Sequence, residues 1–231
     1  MAEAQGATAS GRARGVFVTG TGTEVGKTVV AAVLARTLAA EGRRVHVFKP
    51  CVTGLSDYAD ADGRADHELL RWASGSAQSD GEVAPYRYQP PASPHLAAAL
   101  AGEEIEPQRL RAAAAAAAEG AEELVCEGVG GLLVPLARDY LVRDLAVDLG
   151  YPLVVVAPPG LGTINHTLLT VEAARAAGLE VAAVVLTPWP ETPTAIERDN
   201  RETIERLGGI EVQTLAEIDP SAPDSWPRLT L

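Results

Sequence analysis

Nine consecutive residues near the start of the chain have the composition of a phosphate-binding loop. They read Gly-Thr-Gly-Thr-Glu-Val-Gly-Lys-Thr and occupy positions 20–28. Glycines allow main-chain N–H groups to converge on phosphate oxygens, Lys27 brings a positive charge, and the Thr28 hydroxyl can bind a magnesium ion. Gly20 and Gly26 are separated by five residues, one more than in the usual P-loop. The segment therefore predicts a lengthened P-loop that binds the phosphates of a nucleotide.

Three further charged residues stand where a parallel sheet would direct them toward those phosphates. Lys49 and Glu127 each follow a short apolar run, and Asp66 begins a helical pattern. Because the carboxyl ends of parallel strands meet at one edge of a sheet, we expect Lys49 to face the same phosphates as Lys27. Glu127 stands where nucleotide hydrolases place an acid that reaches magnesium. Asp66 is a second candidate magnesium ligand, and an N-cap role fits it equally well.

Short apolar segments alternate with helical patterns along the chain. The predicted strands cover residues 15–19, 45–48, 124–126, 153–157 and 181–186. The predicted helices cover residues 29–40, 66–73, 108–119, 141–149, 164–177 and 194–207. This alternation is typical of a sheet covered on both faces. We expect an α/β, P-loop NTPase-like three-layer fold with a mainly parallel central sheet flanked by helices. A single domain over residues 15–231 follows a disordered N-terminal extension, residues 1–14.

Composition and charge exclude several classes of function. The chain has 231 residues, 47% of them hydrophobic, with 19 basic and 31 acidic residues and a net charge of −12. This acidic balance opposes a phosphate-backbone contact surface, so no nucleic acid partner is expected. No apolar run approaches the roughly 20 residues of a membrane-spanning helix, so no membrane partner is expected either. Cys51 and Cys126 lie far apart and predict neither a disulfide framework nor a metal site, which fits a cytoplasmic location.

Five segments together resemble the dethiobiotin synthetase family. They are residues 18–28, 49–54, 93–95, 127–131 and 162–166, and they occur in family order within residues 15–219. The resemblance implies a homodimeric enzyme of biotin biosynthesis whose substrates are diaminopelargonic acid, carbon dioxide and ATP, with Mg²⁺ as cofactor. The products are dethiobiotin, ADP and phosphate. A carbamate and a carbamic-phosphoric anhydride are the implied intermediates.

The resemblance also implies a role for individual residues. Lys49 and Lys27 would be catalytic and stabilise the transferring phosphoryl group and the carbamate, and Thr28, Asp66 and Glu127 would hold the metal. The implied nucleotide-binding residues are Thr23, Glu24, Val25, Gly26, Lys27, Thr28, Val29, Asp66, Glu127, Gly128, Val129, Gly130, Thr187 and Pro188. The implied substrate residues are Thr23, Lys49, Thr53, Gly162, Thr163 and Asn165. The last three would reach the substrate carboxylate across the dimer interface.

Three features depart from the family pattern. Val129 stands where the family usually has alanine, which adds volume near the phosphates. Thr187 and Pro188 replace an Asn-Asp pair that commonly reads the adenine base, and Pro188 has no backbone N–H to donate. This replacement predicts weak discrimination among nucleoside triphosphates. The Pro-rich, acidic end of the chain, residues 219–231, has no counterpart in the pattern.

Two alternative functions use a similar loop. The first is a deviant P-loop switch ATPase of the partitioning type, but such proteins carry a lysine early in the loop and positions 20–22 read Gly-Thr-Gly. The second is a cobalamin-type amide ligase domain, whose chains normally include a glutaminase domain. We expect little space for such a domain in 231 residues.

Overall fold

The computed structural model describes residues 13–58 and 63–231. Most of the predicted N-terminal extension, residues 1–12, lies outside these ranges. The strands, in chain order, are β1 Arg14–Gly20, β2 Val45–Phe48, β3 Cys51–Val52, β4 Tyr86–Arg87, β5 Glu123–Gly131, β6 Pro135–Ala137, β7 Tyr140–Leu141, β8 Leu153–Ala157, β9 Val181–Trp189 and β10 Val212–Ala216. The helices are α1 Lys27–Ala40, α2 Leu55–Tyr58, α3 Asp66–Ser74, α4 Asp80–Val83, α5 Pro94–Leu100, α6 Pro107–Ala118, α7 Val142–Leu149, α8 Thr163–Ala176 and α9 Ala195–Gly208, followed by a 3₁₀ turn at Pro223–Ser225.

Six strands form one sheet in the order β10-β9-β8-β1-β5-β2, and every neighbouring pair is parallel. The strand pairs β3-β4 and β6-β7 lie outside this sheet. Alternate residues of β1 face opposite layers because side chains alternate along a strand. Val16 and Val18 pack with α1 and α3, whereas Phe17 packs with α6 and α7. The predicted α/β fold with a mainly parallel, helix-covered sheet is confirmed.

Several elements extend beyond their predicted limits. Strand β1 begins at Arg14, one residue before the predicted start of the domain. Strand β5 continues to Gly131, because Gly131 pairs with Gly20 of β1. Glu127 therefore lies within a strand and not after its end. Strand β9 runs on to Trp189, and α1 begins at Lys27.

Some elements carry no clear signal in the sequence. Strand β10 was not predicted, although it pairs with β9 along the edge of the sheet. Helix α5 begins at Pro94, outside every predicted helix, and proline fits the first turn of a helix. Within the part of the chain that the structure describes, no helix is both long and apolar enough to cross a membrane.

Candidate active site

The loop between β1 and α1 has a backbone that only particular residues adopt without strain. Glu24 has a φ of 58° and Gly26 a φ of 90°, both in the left-handed region. A Cβ atom on Gly26 would lie 2.6 Å from Cγ2 of Thr187. The ammonium group of Lys27 donates to the carbonyl oxygen of Gly22 at 2.7 Å. The loop therefore curls around its own lysine, with the first N–H groups of α1 beside it.

The pairing of β2 with β5 brings Lys49 next to Glu127. Phe48 is aligned with Cys126 in this parallel pair, so the residues that follow them are neighbours at the same sheet edge. Nζ of Lys49 lies 2.7 Å from Oε1 of Glu127 and also donates to Oδ2 of Asp66. Lys49 is 3% exposed and Glu127 is fully buried. The end of β2, the middle of β5 and the start of α3 thus bring together a buried lysine, a buried carboxylate and the partly exposed carboxylate of Asp66.

Burial and neighbouring charges shift the pKa of each ionisable group at this edge. Burial lowers the pKa of Lys49, but Asp66 and Glu127 outweigh it and hold the pKa above its usual range. Burial raises the pKa of Glu127, and the opposing effect of Lys49 does not cancel this rise. Burial lowers the pKa of Lys27, which Glu127 only partly offsets. An anion placed beside Lys27 would favour its charged form and oppose this lowering of the pKa.

The oxygen atoms around Glu127 have the chemistry of a magnesium site. The hydroxyl of Thr28 donates to Oε1 of Glu127 at 2.8 Å, while Oε2 is buried with no hydrogen-bond partner among the described residues. Asp66 is the first residue of α3, and Glu68 caps the helix by accepting from the Ala65 N–H at 2.9 Å. The alternative N-cap role of Asp66 is therefore wrong. A hydroxyl and two carboxylates are the hard oxygen ligands that magnesium prefers.

These groups line one cavity of about 910 Å³ at the carboxyl edge of the sheet. This volume lies in the range typical of small-molecule sites. The predicted site residues that line it are Thr23, Glu24, Gly26, Lys27, Thr28, Val29, Lys49, Thr53, Asp66, Glu127, Val129 and Gly130. The structure therefore brings both lysines and all three candidate metal ligands to the same space.

Other predicted site residues do not line this cavity. Val25 packs against the core, and Gly128 is buried against Phe17 and Val142. Thr187 is buried behind Gly26, and Pro188 is exposed beside it. The substrate candidates Gly162, Thr163 and Asn165 stand at the start of α8, where Gly162 and Asn165 are exposed and Thr163 is buried.

Four parts of the cavity wall were not among the predicted site residues, and Gly54 is one of them. Residues 91–94 form one wall at the start of α5, and Cys51 and Val134 contribute elsewhere. The three prolines within residues 89–95 were the sequence feature that could have indicated the wall formed by residues 91–94. Cys51 follows Lys49 in sequence, whereas nothing in the local pattern marks Val134. Burial raises the pKa of the Cys51 thiol to about 12, which favours the thiol over the nucleophilic thiolate.

Comparisons with known proteins identify the family to which a chain with this site belongs. A family model described as an AAA domain matches residues 14–228. An ATP-dependent dethiobiotin synthetase of Bacillus subtilis (strain 168) is 38% identical over 199 residues, covering 86% of this chain and 85% of the relative. The chain belongs to the dethiobiotin synthetase family. A family member from Anaeromyxobacter dehalogenans is 40% identical over 214 residues, covering 92% of this chain and 90% of its own length. A third, from Bacillus cereus (strain B4264), is 39% identical over 198 residues, covering 86% and 81%.

Membership of this family confirms the resemblance that the five sequence segments carry. The family match runs through both the P-loop and the strand that holds Glu127. These relatives favour neither the partitioning ATPases nor the cobalamin-type ligases. They point to an ATP-dependent enzyme that forms carbon–nitrogen bonds.

Proposed function

We propose that this chain is an ATP-dependent dethiobiotin synthetase. It converts diaminopelargonic acid, carbon dioxide and ATP to dethiobiotin, ADP and phosphate. The observation that carries the proposal is the convergence of Lys27, Lys49 and Glu127 on one cavity beside the P-loop. Ring closure of this kind needs charge neutralisation and positioning more than a side-chain nucleophile. Two buried lysines and the N-terminus of α1 supply the positive charge and fix the positions of the bound groups.

The proposed reaction has three steps. One substrate amine adds to carbon dioxide and loses a proton, which gives a carbamate. A carbamate oxygen then attacks the γ-phosphorus, the bond to the bridging oxygen of ADP breaks, and a carbamic-phosphoric anhydride forms. The second amine attacks the carbamoyl carbon, releases a proton and expels phosphate as the ring closes. Lys49 holds the carbamate oxygens, and Lys27 with the loop N–H groups holds the phosphoryl oxygens.

We assign the magnesium ligands to Thr28, Asp66 and Glu127. The unpartnered Oε2 of Glu127, buried in the cavity wall, supports this assignment because a buried carboxylate oxygen is costly without a partner. Bound there, Mg²⁺ supplies positive charge to the phosphate oxygens. The protein's own part is to orient the three oxygen ligands and to keep bulk water away from Glu127.

The remaining nucleotide and substrate residues keep their proposed roles. Thr23, Glu24, Val25 and Gly26 of the loop and Val29 of α1 surround the phosphates, together with Gly128, Val129 and Gly130 of β5. Thr53 touches the diamine. Thr187 and Pro188 stand beside the base. Val129 lines the cavity, so the volume that it adds relative to alanine faces the ligand.

A homodimer is part of the proposal, because Gly162, Thr163 and Asn165 do not line the cavity of their own chain. Leu161 is 96% exposed and Leu169 is 56% exposed, which supports a partner subunit on this surface. The start of α8 would then reach the substrate carboxylate in the partner's site. We also propose a cytoplasmic location, where ATP is available and the free thiols of Cys51 and Cys126 stay reduced.

A direct assay tests the reaction. The protein is mixed with diaminopelargonic acid, ¹³C-bicarbonate and Mg-ATP, and the product is examined by mass spectrometry. We expect dethiobiotin with one ¹³C atom and one ADP released per ring closed. ATP hydrolysis without the labelled product would reject the proposal.

Mixing two inactive variants tests the shared site. Lys49→Met and Asn165→Ala each damage one half of the proposed site. In a mixed dimer, one site carries both changes and the other carries neither, so we expect activity to return on mixing under conditions that allow subunits to exchange. No recovery, in a mixture where mass spectrometry shows mixed dimers, would place both residues in the site of one subunit.

A further inference from the structure

The C-terminal segment, residues 219–231, packs against the two helices that frame the candidate active site. Trp226 and Leu229 are 8% and 5% exposed and belong to the same core cluster as α1 and α3. The Leu229 N–H donates to Oγ1 of Thr37 on α1 at 3.2 Å, and this contact is buried. Asp224 pairs with Arg36 of the same helix at 2.6 Å. The segment is therefore tied to the helix that begins at the P-loop.

The segment also contacts α3 through a pair of tryptophans. The ring of Trp226 meets the ring of Trp72 edge to face, with centroids 5.8 Å apart and planes at 71°. The indole N–H of Trp226 donates to the carbonyl oxygen of Asp219 at 2.7 Å, which fixes the ring within the segment. Trp72 lies in the last turn of α3 and contacts the C-terminal segment directly. One buried aromatic contact thus links the end of the chain to α3.

A second aromatic contact connects Trp72 to the start of α3. The guanidinium carbon of Arg64 lies 4.2 Å from the centroid of the Trp72 ring. Arg64 is two residues before Asp66, the first residue of the helix. The contacts therefore run from Trp226 through Trp72 and Arg64 to the backbone that carries the Asp66 carboxylate.

We propose that residues 219–231 form a clamp that positions Asp66 for the metal site by holding α3 against α1. Thr28 and Lys27 belong to α1, and Asp66 belongs to α3, so the separation of these helices sets the distance between the proposed metal ligands. Trp226 is the central positioning residue, and Trp72 and Arg64 pass its effect to Asp66. This inference rests on the proposed assignment of Asp66 as a magnesium ligand.

The test measures metal affinity directly, with Mn²⁺ as the probe in the presence of a non-hydrolysable ATP analogue. Free Mn²⁺ is counted by electron paramagnetic resonance for the full chain and for Trp226→Ala. We expect the dissociation constant for Mn²⁺ to rise about tenfold, within the range of measured couplings between contacting residues. Trp226→Phe keeps an aromatic edge against Trp72 and should recover most of the affinity. Arg64→Ala leaves the packing of Trp226 unchanged and should also weaken Mn²⁺ binding.

A matched control separates positioning from general loss of stability. Ile204→Ala removes a fully buried side chain from α9 in a different core cluster, away from α1 and α3. It should lower the melting temperature as Trp226→Ala does but leave Mn²⁺ affinity unchanged. Equal loss of Mn²⁺ affinity in both variants would overturn the clamp. If Trp226→Ala does not fold, the comparison of Arg64→Ala with Ile204→Ala decides in the same way.

A double-mutant cycle with Asp66→Asn separates failure of the clamp from failure of the metal assignment. If the clamp acts through Asp66, Trp226→Ala has little further effect on Mn²⁺ affinity in the Asp66→Asn background. An equal, additive effect in both backgrounds would overturn the clamp while leaving the metal site intact. Unchanged Mn²⁺ affinity in Asp66→Asn alone would overturn the assignment of Asp66 itself, and the clamp with it.

Discussion

Nζ of Lys49 lies 2.7 Å from Oε1 of Glu127, and both side chains are almost completely removed from solvent. Oδ2 of Asp66 accepts a hydrogen bond from the same ammonium group. Lys27 is coupled electrostatically to both carboxylates and to Lys49, so the two lysines and two carboxylates form one interacting charged group. Removing one partner of a buried ion pair leaves an uncompensated charge, which costs about 3–5 kcal/mol, and removing Lys49 would leave the buried Glu127 in that state. Stability and chemistry are therefore coupled at this site.

Replacing Lys49 by methionine preserves side-chain length and removes the charge. We expect dethiobiotin formation to fall by about 10²–10³-fold, the scale of losing one preorganised electrostatic group. Burial already raises the pKa of Glu127 above 4.5, so its neutral form favours folding below that pH and this contribution is lost as pH rises. In Lys49→Met, which lacks the opposing charge, the free energy of unfolding should fall more steeply as pH rises. Single-turnover assays and urea unfolding at pH 5 and pH 8 check both effects, and near-normal turnover would remove Lys49 from the mechanism.

Replacing Thr28 by valine removes the hydroxyl that donates to Glu127 at 2.8 Å. The shape of the side chain is kept, so the main expected effect is a higher Mg²⁺ requirement. We expect the half-saturating Mg²⁺ concentration to rise about tenfold or more, as for loss of one oxygen ligand. Thr28→Ser retains the hydroxyl and should stay close to the parent. Equal Mg²⁺ requirements in the valine and serine variants would contradict the assignment.

Nucleotide binding should be linked to protonation of Lys27. Burial lowers the pKa of this lysine from 10.5, whereas a triphosphate beside it favours the charged form. Binding should therefore take up a proton as pH rises toward the lowered pKa, and apparent ATP affinity should fall over the same range. Calorimetric titrations in buffers of different ionisation enthalpy, from pH 7 to pH 9.5, measure this uptake. Lys27→Met should abolish the pH-dependent uptake, and uptake unchanged in that variant would assign it to another group.

Replacing Gly26 by alanine should disrupt the P-loop for two separate reasons. A Cβ atom would meet Cγ2 of Thr187 at 2.6 Å, and a φ of 90° strains any residue with a side chain by about 1–3 kcal/mol. We expect lower stability and loss of nucleotide binding. Thr187→Ser removes Cγ2, so the double variant should recover the steric part but not the backbone part. Full recovery in the double variant would show that backbone strain at position 26 is unimportant. No recovery would show that the steric contact with Thr187 is unimportant.

The pair Thr187 and Pro188 should give weak selection among nucleoside triphosphates. Thr187 is buried against the P-loop and Pro188 offers no N–H, so neither supplies the donor that an adenine reader needs. We expect ATP, CTP, GTP and UTP to differ by less than about tenfold in kcat/KM, since a site without base-specific hydrogen bonds discriminates weakly. The Thr187→Asn/Pro188→Asp variant should favour ATP. Strict ATP selectivity of the parent in competition assays would contradict the expectation.

Strands buried on both faces were the most predictable part of the fold. The limits of β2 and β8 match residues 45–48 and 153–157, because a continuous apolar run of that length has few other solutions in a parallel sheet. The extension of β5 through Gly130 and Gly131 could not be foreseen, since glycine has no strand preference and the pairing partner is Gly20 of β1. Long-range pairing, and not local preference, sets that boundary.

The candidate site also has parts that the sequence could predict and parts that it could not. The neighbourhood of Lys49 and Glu127 was predictable, because each follows a short apolar run and these runs pair as neighbouring parallel strands. The contact of Lys49 with Asp66 depends on the path of the chain between β3 and α3, for which the sequence offers no regular pattern. The packing of Leu229 on Thr37 joins residues 192 positions apart, so no local signal could indicate it.

Within residues 13–58 and 63–231, β1 precedes every other strand in the sequence, yet in the finished sheet it lies between β8 and β5. Both of its edges therefore stay unpaired until Glu123–Gly131 and then Leu153–Ala157 have been synthesised. An apolar strand with open edges is a template for pairing with other chains. The nascent polypeptide is thus most vulnerable to aggregation during the interval that separates translation of its first strand from translation of that strand's two neighbours.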